Sequence, residues 1–254
     1  MALSKANIKY LQALQQKKFR QKYNKFVAEG DKIVQDLLSR RPDLVETIFA
    51  LESWLDAHDQ DLVGFSGGRY AVSEKELAAL SNFQTPNQVI TVGRPPDCTF
   101  DARIARTSLT IYLDDLQDPG NMGTILRIAD WFGIRQVIGS PQTVELWNPK
   151  VVQASMGAVF QVPYAVQAIE SLAKALPEVP ILAADMQGTT LFDYQWPAAA
   201  VLVIGNEGQG LSEKTVELVQ HYLSIPSKGN PIVDSLNAAM ATSILVGHYR
   251  QHHS

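Results

Sequence analysis

The chain has 254 residues, 46% hydrophobic and 19% charged, with 16 Gly and 13 Pro, a composition that fits two compact folded units and excludes a long disordered tract. Its one cysteine, Cys98, excludes an intrachain disulfide and a thiolate metal cluster. The opening MALSKANIKY lacks an apolar h-region, and no later run reaches the ~18 apolar residues of a membrane span, so a cytoplasmic or organelle-interior protein with no membrane partner is expected.

The net charge of −4 hides an asymmetry. Lys5, Lys9, Lys17, Lys18, Arg20, Lys22 and Lys25 stand before Ala28 with no acid among them, while the remainder carries 15 bases against 26 acids. A basic segment on an acidic body is the balance expected when one end of a protein meets a polyanion. Asn7 is placed to cap a helix carrying Ile8, Leu11 and Leu14, with the bases clustered where that helix ends. A second helical pattern follows in Val27, Ile33, Val34, Leu37 and Leu38. Leu44 to Leu51 reads as a strand, Ser73 to Glu76 has capping-box spacing ahead of Leu77 and Leu80, and Gln88 to Val92 reads as another strand. Arg94-Pro95-Pro96-Asp97 is the expected linker, because consecutive prolines continue neither a helix nor a central strand.

Beyond the linker strands and helices alternate. Leu109 to Leu113, Gln136 to Ile138, Ile181 to Ala184, Val201 to Ile204 and Tyr222 to Ile225 are strand-like. Met122 to Phe132, a segment opening at Asn148-Pro149, Leu211 to Val219 and Leu236 to Tyr249 are helical. The alternation predicts an α/β domain with a mostly parallel sheet covered on both faces. No G-x-G-x-x-G, G-x-x-x-x-G-K-[ST] or G-x-S-x-G occurs, which removes the commonest dinucleotide-binding, P-loop and hydrolase readings.

Three segments carry chemistry. Asp118-Pro-Gly-Asn-Met-Gly-Thr-Ile-Leu-Arg-Ile-Ala129 turns from a strand into a helix whose free N–H groups can face a polar ligand, with Arg127 off the apolar stripe. Val201-Leu-Val-Ile-Gly-Asn-Glu-Gly-Gln-Gly-Leu211 is an apolar strand ending in a loop with three glycines, where α/β proteins hold ligands, and Glu207 is its lone acid. Ile225-Pro-Ser-Lys-Gly-Asn-Pro-Ile-Val-Asp-Ser-Leu-Asn237 runs from a strand through a Gly/Pro loop to the last helix. Read singly, each is an ordinary turn or cap.

Together and in this order the three resemble the motifs of the SpoU methyltransferases, a branch of the SPOUT superfamily. The N-terminal part resembles that family's small α/β RNA-binding companion domain, through Ser4 to Asn7, Arg20 and Phe26 to Gly30. The resemblance implies an N-terminal α/β RNA substrate-binding domain over 1–95 and a catalytic domain over 106–254 with a deep trefoil knot. It implies S-adenosylmethionine as cofactor, no metal, a homodimer whose site is completed by the partner subunit, and methyl transfer to a ribose 2′-hydroxyl of structured RNA, ribosomal or transfer, with ribosomal RNA the preferred expectation. The positions that align with cofactor contacts are Gly205, Ile225 and Leu236. Those that align with functional polar groups are Asn121, Arg127, Glu207, Ser235 and Asn237, and Lys17, Lys18, Arg20 and Lys22 are the expected RNA contacts. Arg127 is often cast in the family as the group that receives the hydroxyl proton; a guanidinium keeps its charge in ordinary surroundings, so an orienting role is preferred.

Two departures concern the substrate side: the loop from Ser227 to Asp234 is longer than usual and includes Pro231, and Ala239 stands where many members have serine. The competing readings are a non-catalytic RNA-binding protein that keeps the fold, and a SPOUT enzyme acting on a base nitrogen. His248 and His252, four apart on the terminal helix, are read as a solvent-exposed tail rather than metal ligands, and Trp131, Trp147 and Trp196 as core or interface rather than base-stacking residues.

Overall fold

The computed structural model describes residues 5–253 apart from 82, 84, 230, 231, 233 and 234; Ser4, Pro231 and Asp234, noted above, lie outside the described residues. The chain divides into two units, residues 1–97 with 147–160, and residues 98–146 with 161–254.

In the first unit α1 (Lys5–Ala13) begins before Asn7, which therefore lies inside the helix and does not cap it. Lys5 and Ala6 are good helix formers and extend the first turn. The bases beyond it form a helix of their own, α2 (Lys17–Tyr23). Arg20 corrects the reading of this segment. It is only 4% exposed, and its guanidinium donates to the carbonyls of Leu14 and Gln15, both at 2.8 Å. Those carbonyls follow the end of α1, where the helix supplies no donor, so Arg20 fastens α1 to α2 and is not presented to a ligand. Arg20→Ala is expected to destabilise this unit by about 2 kcal/mol, since it removes two charge-assisted hydrogen bonds, one to a buried and one to a part-buried carbonyl. Lys17→Ala, at an exposed position, should stay within about 0.5 kcal/mol. Urea midpoints of the two variants decide, and an Arg20→Ala midpoint equal to that of the parent would refute the inward role.

Val27 belongs to a strand, β1 (Phe26–Glu29), and not to the second helix. All four of its residues are buried, so no alternation marks it, and Gly30 at φ 113° turns the chain into α3 (Asp31–Arg40). The unit continues with β2 (Val45–Ala50), α4 (Glu52–Ala57), β3 (Gly68–Ala71), α5 (Glu74–Leu80) behind the Ser73–Glu76 capping box, and β4 (Val89–Gly93). The sheet order is β1-β4-β2-β3, antiparallel except for β2 with β3. Leu11, Leu14, Val27, Phe49, Leu77 and Leu80 pack in its core.

The second unit opens with α6 (Ala102–Ala105), β5 (Leu109–Leu113), α7 (Pro119–Trp131) and β6 (Val137–Gly139). The chain then contributes α8 (Pro149–Ala154), capped by Asn148, to the first unit. Trp147 and Phe160 flank that helix and pack on the ring of Phe26, with centroids at 4.9 and 5.2 Å. The second unit resumes with β7 (Tyr164–Val166), α9 (Ile169–Ala175), β8 (Ile181–Thr190), β9 (Ala200–Ile204), α10 (Glu213–Val216), β10 (His221–Ser224) and α11 (Ala238–His252). Its six strands are all parallel, in the order β10-β8-β9-β5-β6-β7. Every residue of β5 and β9 is buried, as expected of central strands covered on both faces. A parallel sheet brings the carboxyl ends of β5, β9 and β10 to one edge, and the three motif loops leave from those ends.

The last helix is locked to this scaffold at its far end. Arg250 donates to the carbonyls of Phe132 and Gly133 at 2.6 and 2.7 Å, which closes the C-terminus of α7. Tyr249 Oη donates to the Ala198 carbonyl at 2.7 Å and accepts the Leu109 N–H at 3.2 Å. Trp196 is buried, and its Nε1–H donates to His248 Nδ1 at 3.0 Å. Burial first, then His252, holds His248 below the usual imidazole range. His248 is thus half-buried and committed to a core tryptophan, not a free tail residue. Among the described residues no three of His, Cys, Asp or Glu are grouped to hold a metal ion, and no helix is long and apolar enough to cross a membrane.

Candidate active site

The side chains that the three motif loops bring together are Asn121, Glu207 and Asn237. Asp118 caps α7 by accepting the Asn121 N–H at 2.7 Å, with Pro119 in the first turn. Because Asp118 takes the capping role, the Asn121 carboxamide is free to work elsewhere. Asn237 caps α11: its Oδ1 accepts the N–H groups of Ala239 and Met240 at 2.9 and 3.3 Å. That commits its Nδ2 to donate, and it does so to Asn121 Oδ1 at 2.8 Å. Asn121 Nδ2 in turn donates to Glu207 Oε1 at 2.9 Å. The same carboxylate accepts the backbone N–H groups of Asp118 and Gln117 at 3.3 and 3.4 Å. The hydrogen bonds from Asn237 through Asn121 to Glu207 run in one direction only. Backbone donors at one end and a carboxylate, which can only accept, at the other set the orientation of both amides.

The glycine-rich loop has its own fastening. Asn206 and Gly210 exchange two backbone hydrogen bonds of 2.8 and 2.9 Å, and a Cβ on Gly205 would stand 2.8 Å from the Gly210 backbone. Asn206 Oδ1 accepts the N–H groups of Gly208 and Gln209, and its Nδ2 donates to the Asp115 carbonyl at 2.8 Å. Asp114, buried at the end of β5, accepts the Ser212 N–H at 2.7 Å and its hydroxyl at 3.1 Å. With Ser212 so held, α10 starts at Glu213, shorter than the helix expected over Leu211 to Val219. Sequence reasoning misses Asp114, Asp115, Asp118 and Asn206 as organisers of the site. The available signal is a pair of acids directly after an apolar strand, Leu113-Asp114-Asp115, where an acid must find donors if it is buried.

Arg127 lies on α7 but is exposed, with no hydrogen bond or ion pair among the described residues. Six residues separate it from Asn121, about 120° round the helix, so the two side chains leave different faces. Ser235 and Leu236 are exposed ahead of α11, and Ile225 is half-buried at the end of β10. Lys17, Lys18 and Lys22 are exposed on α2 in the other unit. Gly205 follows β9, Ile225 follows β10 and Leu236 precedes α11. The absence of a side chain at Gly205 is required by the loop itself, since the Gly210 backbone and the Leu211 side chain occupy that space, and Leu236 and Ile232 are exposed apolar side chains.

The sequence matches the SpoU rRNA Methylase family over residues 108–247 and the MRM3-like substrate binding domain over residues 5–91. It is 29% identical over 246 residues, 96% of this chain and 95% of the relative, to the 23S rRNA guanosine 2′-O-methyltransferase RlmP of Bacillus subtilis. A TrmH-family structure from Porphyromonas gingivalis superposes with TM-score 0.83 at 32% identity, covering 98% of each chain. An AdoMet-bound rRNA methyltransferase from Sinorhizobium meliloti superposes with TM-score 0.83 at 27% identity, covering 99% of this chain and 98% of that one.

Proposed function

This chain belongs to the SpoU rRNA Methylase family and is an S-adenosylmethionine-dependent RNA 2′-O-methyltransferase; from that premise we propose that its substrate is ribosomal RNA and that the directional series Asn237, Asn121, Glu207 is what organises its active site. The ribosomal target is supported by the 23S rRNA activity named for the Bacillus subtilis relative. Bound S-adenosylmethionine supplies an electrophilic methyl on a sulfonium, and Gly205, Ile225 and Leu236 are the residues assigned to hold it. When bound it would offer that methyl to the ribose 2′-oxygen and depart as a neutral thioether, the hydroxyl proton being released as the bond to carbon forms. Glu207 already accepts three N–H groups, so it is read as a positioning group and not as the acceptor of that proton. Arg127 and Ser235, both exposed, are assigned to orient the ribose and its phosphate, a positioning effect that can supply much of the rate.

The domain partition follows the same reading, with 1–95 gripping RNA and 106–254, apart from the 147–160 segment that packs in the first unit, performing transfer through the trefoil knot of the family. A homodimer completes the site. Its support is the exposed apolar side chains of the two helices that carry the motifs: Trp131 at the end of α7, 83% exposed, and Met240 and Ile244 one turn apart on α11, 62% and 40% exposed. The cytoplasm, where a bacterial ribosome is assembled, is the matching location.

The test is incubation with labelled S-adenosylmethionine and unmodified total RNA, followed by alkaline digestion. Label in alkali-resistant dinucleotides of ribosomal RNA is the expected result. Label on a base, or in transfer RNA alone, would overturn it.

A further inference from the structure

With Arg20 turned inward, α2 is no longer a simple row of cations. What remains outside is an alternation of cations and rings: Lys17, Lys18 and Lys22 are exposed, Phe19 is half-buried, and Tyr23 is 39% exposed. Tyr23 is the centre of a braced group. Tyr10 of α1 meets it edge-on at 5.3 Å and 67°, and Phe19 lies nearly parallel to it at 6.2 Å and 11°. Lys18 Nζ stands 4.8 Å from the Phe19 centroid and Lys22 Nζ 5.4 Å from that of Tyr23. A hydrophobic purpose alone would draw Tyr23 into the core beside Leu11 and Leu14 and would leave no reason for ammonium groups over the rings. A purely electrostatic purpose would not require rings at all.

We infer that this face of α2 stacks an unpaired RNA base on Tyr23, with Lys18 and Lys22 on the neighbouring phosphates. The inference rests on the reading of the chain as an RNA-modifying enzyme and adds a contact of a different kind to the lysines. Aromatic rings stack bases of any sequence because every base has a π-face, and cations beside them follow the backbone. Tyr10 and Phe19 hold the Tyr23 ring in place before binding, so little rotamer freedom is lost when a base arrives. Lys22 rests over the ring in the free chain. A base that takes its place releases the ammonium to the adjoining phosphate, which exchanges a cation–π contact for an ion pair.

The experiment uses the full chain and two fluorescein-labelled probes, a deca-adenylate and an abasic strand of the same length, with anisotropy read across a salt series. The parent protein is expected to prefer the deca-adenylate. Tyr23→Leu should lose about tenfold on it, little on the abasic strand, with the salt slope unchanged. Tyr23→Phe, which keeps the ring, should bind as the parent does. Lys18→Gln and Lys22→Gln should each lower the slope by about 0.7 on both probes. A parental urea midpoint for the first unit in every variant reports an intact fold. Equal binding of the two probes by the parent, or parent-like binding by Tyr23→Leu, overturns the inference. Binding is read without methyl transfer, so failure here leaves the enzymatic reading standing, and an inactive protein that still prefers the base-bearing strand leaves this one standing.

Discussion

Arg127→Lys is expected to lower turnover about a hundredfold or more while S-adenosylmethionine binds as before. The substitution keeps the charge and removes the planar fork that grips a ribose or phosphate through two parallel hydrogen bonds. Arg127 is exposed and has no partner among the described residues, so folding should not change, and a loss appears in the chemical step rather than in the melting temperature. Its direction makes a sharper test possible. Arg127 leaves α7 on a different face from Asn121, and in the proposed dimer it serves the partner's site. Arg127→Lys and Asn121→Asp chains, each inactive alone, should therefore complement when mixed and allowed to exchange. About half of the dimers are then mixed, each has one fully parental site, and the activity regained is about a quarter of the parental value. Single-turnover methyl transfer on the mixture measures this. No recovery after verified exchange would place Arg127 in its own chain's site, and near-normal turnover of Arg127→Lys alone would sink the role altogether.

Sequence reasoning succeeds where burial leaves a plain mark. β5 and β9 are buried on both faces, so Leu109 to Leu113 and Val201 to Ile204 stand out as unbroken apolar runs with turns after them. The same logic fails for β1, whose four buried residues flow into the apolar period of α3, and for the three-residue β7 and the weakly patterned Gly68–Ala71 of β3. Arg20 is misread because a count of bases treats every guanidinium as an outward charge, whereas long side chains can turn back to satisfy a helix end. Position in the chain assigns residues 147–160 to the C-terminal half, but their place in the first unit depends on Phe26, a partner more than 100 residues away that no local window contains. Asn121, Glu207 and Asn237 are each legible through the motifs. The direction of the hydrogen bonds that join them is not, because it follows from which residue caps which helix.

That direction makes the second large effect reversible by design. Asn121→Asp changes one atom type and sets a carboxylate where Nδ2 now donates to Glu207 at 2.9 Å. Two acceptors then face each other, both charged, and the loop after β9 is pushed from the start of α7. The expected loss in kcat is about a hundredfold, close to 3 kcal/mol, the scale of a broken charge-assisted hydrogen bond with a like charge left in place. A carboxylate near the N-terminus of α7 is otherwise favourable, so the damage should come from the clash with Glu207 and not from the helix. Adding Glu207→Gln reverses the order of the pair. The carboxylate introduced at position 121 would accept both from Asn237 Nδ2 and from the new carboxamide at position 207, whose oxygen still takes the Gln117 N–H while the Asp118 N–H gives up its acceptor. The double variant is therefore expected to recover to within about tenfold of the parent, a coupling that two independent losses do not produce. Methyl-transfer rates of the two single variants and the double variant complete the cycle. If the double variant is as slow as the slower single one, Asn121 acts directly on the substrate, and the three residues are not the positioning series proposed.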